Sequence, residues 1–68
     1  MMKAAIAIDN WKLPIFERHL KQAGYIYEKG KGITDETMFL YVRTDNPEVL
    51  EIVVRAANTE AAKTGEQA

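Results

Sequence analysis

Few residues in this chain have side chains suited to chemistry, and they do not form a pattern that performs any. His19 is the sole histidine. General acid–base work or metal binding needs a partner on the same face, and no HExxH or similar pair is present. Glu17 lies two residues away, on a different face of a helix. His19 therefore reads as a boundary histidine beside an apolar stripe. Lys29-Gly30-Lys31-Gly32 combines free backbone amides with positive charge, the ingredients of an anion cradle. The GxxxxGK[ST] spacing of a phosphate loop is absent and no helix follows, so these residues read as a solvated hairpin loop. Asp35 and Glu36 are adjacent carboxylates. Neighbours in an extended chain point to opposite faces, which excludes joint catalysis. Asp9-Asn10-Trp11 sits where the first strand should end, the end of a sheet at which ligands gather. Trp11 reads either as a stacking platform or, preferably, as a lid on the core. Asp9, Asn10 and Trp11 are kept as a secondary candidate site. No catalytic constellation, metal set or cofactor motif emerges, and the expectation is a protein that is not an enzyme.

Bulk properties narrow the class further. The chain has 68 residues, enough for one domain over 1–68 with residues 64–68 as a frayed tail. With no cysteine, disulfides and thiolate metal sites are excluded. The longest apolar runs, Ala4 to Ile8 and Met38 to Val42, have five residues. A membrane span needs about 20, so a soluble cytoplasmic protein is expected. Nine basic residues against ten acidic ones give a net charge of −1, with the acidic excess after Thr44. That balance counts against a nucleic-acid partner, which usually meets a strongly basic patch.

The elements follow from periodicity. Lys3 to Asp9 alternates as a strand, with Ala4, Ile6 and Ile8 on one side and Ala5 and Ala7 on the other. A helix starts at Leu13 or Pro14, because proline suits the first helical turn and not its interior. Asn10 to Lys12 is a lead-in turn. Leu13, Phe16, Leu20 and Ala23 form the core stripe, and Gly24 stands where a left-handed cap belongs. Strands follow at Tyr25 to Glu28 and Thr37 to Arg43. The second helix is capped by Asn46, begins at Pro47 and extends through Lys63. The order is β-α-β-β-α.

The fold class is α+β: a two-layer sandwich with a three-stranded antiparallel sheet in the order 1-3-2 and two helices on one face. The third strand takes the centre because it is apolar on both sides, with Met38, Leu40 and Val42 opposed to Phe39 and Tyr41. The arrangement resembles a ferredoxin-like fold that lacks its last strand. Residues 9–25, DNWKLPIFERHLKQAGY, resemble small uncharacterised proteins of bacteria and their phages, a likeness that implies no chemistry.

Two surfaces remain without a cover. The first strand lacks its usual neighbour and would be an open edge, a template for antiparallel pairing with a second copy. The sheet face away from the helices would carry Ala5, Ala7, Tyr25, Tyr27, Phe39, Tyr41 and Arg43, with Ile6, Ile8 and Ile26 turned to the core. Four aromatics on an open sheet would make a contact surface. The expected function is a homodimeric binding or adaptor module with a protein partner. The alternative is single-stranded nucleic-acid binding through the aromatic face, which lacks the glycine–aromatic signature of RNA-recognition sheets.

Overall fold

The computed structural model describes residues 2–67. Strand β1 (Met2–Asp9) leads through a 3-10 turn (Asn10–Lys12) into helix α1 (Leu13–Gln22). Strands β2 (Tyr27–Lys31) and β3 (Thr37–Thr44) follow, and helix α2 (Pro47–Gln67) ends the chain. The sheet order is β1-β3-β2, and β3 runs antiparallel to both neighbours. This is the α+β architecture expected from the apolar character of β3.

The local chemistry explains the boundaries. Pro14 occupies the first turn of α1, where a missing amide costs no hydrogen bond. Asn46 caps α2: its Oδ1 accepts the Glu48 N–H at 3.1 Å. At the end of α1, Gly24 takes φ +81°. Gly24 N–H donates to the Lys21 carbonyl at 3.1 Å, and Tyr25 N–H donates to that of Leu20 at 2.9 Å. These are the two bonds of a Schellman motif. Helix α2 continues through Gln67, and Ala68, the last residue of the expected tail, lies outside the described residues, as does Met1.

The core lies between the sheet and the helices. Ile8, Leu40 and Val42 meet Phe16, Leu20, Leu50 and Ala57, all buried. Ala23 does not complete the α1 stripe; it is exposed at the C-cap. The helices are also joined at their outer rim, where Glu60 accepts from Arg18 and contacts His19 Nε2 at 3.1 Å.

Strand β2 differs from expectation in both range and facing. It starts at Tyr27 and ends at Lys31, so Lys29-Gly30-Lys31 is strand and the loop shrinks to residues 32–36. Tyr27 pairs with Val42, and residues directly opposite in an antiparallel ladder share a face. Tyr27 is therefore turned to the helices, where it and Tyr25 pack on the core. Ile26, expected inside, is 68% exposed. The physical reason is the Schellman turn. It folds the residue after Gly24 back onto the last turn of α1, so Tyr25 meets Leu20 and the alternation of β2 is set from there.

Candidate functional site

The open sheet face is built on β3. Tyr41 lies between Ala5 of β1 and Glu28 of β2, and Phe39 lies between Ala7 and Gly30. The Phe39 and Tyr41 rings are neighbours, with centroids 6.1 Å apart and planes inclined by 30°. Phe39 has small residues on both flanks, Tyr41 only on the β1 side, and both residues are half-buried. Gly30 has a further role. The Tyr41 ring lies across it so closely that a Cβ at this position would strike the ring. Of the seven residues expected on this face, the structure brings together Ala5, Ala7, Phe39, Tyr41 and Arg43. Tyr25 and Tyr27 belong to the opposite face. The pattern Gly-Tyr after the α1 stripe is the signal that places Tyr25 inward, since a Schellman turn pairs that position with an apolar residue of the helix.

One end of the face concentrates positive charge. Lys3 stands directly opposite Arg43. Both are exposed, and among the described residues neither forms a salt bridge. Like charges in that position are unfavourable. At the other end of β1, Asp9 is opposite Thr37 and among the described residues pairs with Lys12 Nζ alone, at 3.5 Å.

The two sheet edges are unlike each other. β2 is a short strand of five residues carrying Glu28, Lys29 and Lys31, which blunts it against pairing. β1 has eight residues, no proline, and only Lys3 and Asp9 as charges. Nothing in the sheet covers its outer side.

The secondary candidates take other roles. Asn10 anchors the end of β1: its N–H donates to the Glu36 carbonyl at 2.9 Å and its Nδ2 to the Asp35 carbonyl at 2.7 Å. Trp11 is not a lid on the core. It is 52% exposed beside a shallow cleft of 460 Å³ lined by Asp9, Asn10, Asp35 and Glu36. Phe16, not the indole, is the α1-side aromatic buried with Ile8, Leu40 and Val42. Lys29 and Lys31 line a second open cleft with Thr34, Asp35 and Thr37. Among the described residues, no buried side-chain polar atom lacks a partner. No group of three or more His, Asp or Glu converges among them to hold a metal ion.

Among the described residues, Tyr27 carries a strongly shifted ionisation. Its hydroxyl donates to Glu17 Oε2 at 2.6 Å. Desolvation pushes the phenol up to about 12, and the hydrogen bond and negative charge of Glu17 add to the effect. The pair holds the tyrosine neutral and joins β2 to α1; it has no second acid or base with which to work.

The fold and these surfaces define a small two-layer α+β protein with an uncovered edge strand. No protein family, curated protein or solved structure matches the chain. No helix among the described residues is long and apolar enough to cross a membrane.

Proposed function

We propose that the protein is a non-catalytic homodimeric binding module whose surface is made by association. The observation that carries this reading is the contrast between the edges: β2 is short and charged, whereas β1 is longer and carries only Lys3 and Asp9 as charges, near its two ends. Closing β1 against a second copy removes a pairing hazard that a monomer would have to tolerate. It also joins two open faces, each with a Phe39–Tyr41 pair, into one surface for a protein partner. The setting is the cytoplasm of a bacterium or of a phage-infected cell, and the scaffold is a ferredoxin-like sheet whose missing fourth strand is replaced by the partner's β1. Sedimentation at micromolar concentration tests it. The expected species has twice the 7.7 kDa chain mass. A monomer under these conditions overturns the reading.

A second reading has its own support. The stacked Phe39 and Tyr41 rings, next to Lys3 and Arg43, offer stacking and charge to a single-stranded nucleic acid. Titration with a labelled oligonucleotide at two salt concentrations decides it. Binding that weakens with salt supports this reading, and no binding at low salt removes it.

A further inference from the structure

We infer that β1 takes the β1 strand of a second copy in one register, with Ile6 opposite the partner's Ile6 and Lys3 opposite the partner's Asp9. The inference rests on the dimer proposed above and specifies its contact.

The argument starts from which backbone groups are free. The Arg43 N–H donates to the Ile26 carbonyl, so odd residues of β3 are engaged with β2. The Asn10 N–H donates to the Glu36 carbonyl, so even residues of β3 are engaged with β1. Antiparallel ladders alternate strictly. Ala4, Ile6 and Ile8 are therefore bonded to β3, opposite Val42, Leu40 and Met38. Lys3, Ala5, Ala7 and Asp9 present their amides and carbonyls to the open edge.

A twofold axis through the sheet keeps like faces together, so these odd residues must oppose odd residues. Two registers use most of the strand. Centring on Ala5 sets Lys3 against the partner's Ala7, where it meets no counter-charge. Centring on Ile6 pairs Lys3 with the partner's Asp9 and Ala5 with the partner's Ala7, each twice by symmetry. All the outward backbone groups of residues 3–9 are then bonded. Both charges lie on the open face and have opposite sign. Lys3 gains a counter-charge it lacks beside Arg43, and Asp9 gains a second one besides Lys12. On the helix side, Ala4 meets the partner's Ile8. The charges of β1 thus complement those of its own reversed copy.

A charge-swap cycle tests the register, with sedimentation equilibrium as the readout and circular dichroism confirming the fold. Lys3→Asp or Asp9→Lys alone places like charges at both ends of the contact and should weaken association on the order of tenfold. The double variant Lys3→Asp/Asp9→Lys should restore it to within about threefold, since opposite charges again face each other. Lys3→Asp also relieves the repulsion with Arg43, and an unchanged circular dichroism spectrum separates loss of association from loss of fold. If either single charge reversal fails to fold, Lys3→Gln and Asp9→Asn replace the pair, and each should weaken association by a smaller factor. A native dimer that none of these changes affects overturns the register and leaves the dimer standing. So does a dimer disrupted only by Ile52→Lys, on the exposed face of α2. A double variant no tighter than the singles also overturns it. A native chain that is monomeric removes the dimer and this contact together.

Discussion

The Tyr27 hydroxyl donates a 2.6 Å hydrogen bond to the Glu17 carboxylate, joining strand β2 to helix α1 on the covered side of the sheet. This contact exists only because β2 turns its tyrosine inward, and it has a measurable pH signature. The phenol is raised from 10.0 to about 12 in the folded state. A raised folded pKa means the folded state holds the proton more tightly than the unfolded chain. The stabilisation is therefore complete below pH 10 and is lost as pH rises towards 12. Tyr27→Phe should cost about 1 kcal/mol at pH 7. The difference between native and variant unfolding free energies should shrink from pH 10 upward. A difference that stays constant to pH 12 would show that the bond does not form.

Gly24 is the hinge that sets the facing of β2. Its φ of +81° is a left-handed conformation, and an added Cβ would meet nothing within 4 Å. The penalty for a side chain is thus purely one of backbone conformation. Gly24→Ala should destabilise by about 1–2 kcal/mol, and Gly24→Asn by less, because asparagine tolerates this region better. Urea denaturation midpoints measure both. Equal effects of the two substitutions would contradict a left-handed cap.

On the open face, Gly30 and Tyr41 are matched in shape. Gly30→Ala puts a methyl group where the Tyr41 ring lies, and the ring must swing aside. The variant should lose the ring-current shifts that mark the Phe39–Tyr41 contact in NMR spectra. Its stability should change by less than about 1 kcal/mol, because the displaced atoms are the far end of one side chain. Unchanged aromatic shifts would mean that the ring does not cover the glycine.

Thr44 is buried at the junction of β3 and α2, and its hydroxyl serves two bonds. It accepts the Asn46 N–H and donates to the Asn46 carbonyl, both at 3.1 Å. Thr44→Val keeps the shape and removes both partners, so an expected loss of roughly 1–3 kcal/mol follows from the stranded amide. Asn46→Ala should cost about 1 kcal/mol through the lost cap of α2. Thermal unfolding of the two single variants and the double variant should show a total below the sum, since the two residues share one turn.

Much of the architecture is legible in the sequence. Pro14, Gly24, Asn46 and Pro47 punctuate the chain through constraints local to each residue, so element order and the limits of α1 follow directly. The central place of β3 follows from its apolar residues on both faces. Strand β2 resisted the same treatment. Tyr25, Ile26 and Tyr27 are all apolar enough for either side, and alternation alone is unchanged when a strand is flipped. Only the closure of Gly24 onto α1 and the pairing of Tyr27 with Val42 decide the side. Those contacts place the two tyrosines against the core, partly buried, and Ile26 in solvent. The opposition of Lys3 and Arg43, and the direction in which β1 presents its free amides, also belong to the tertiary level. They depend on register between strands whose paired residues lie 28 to 42 positions apart, and only the packed sheet specifies that register.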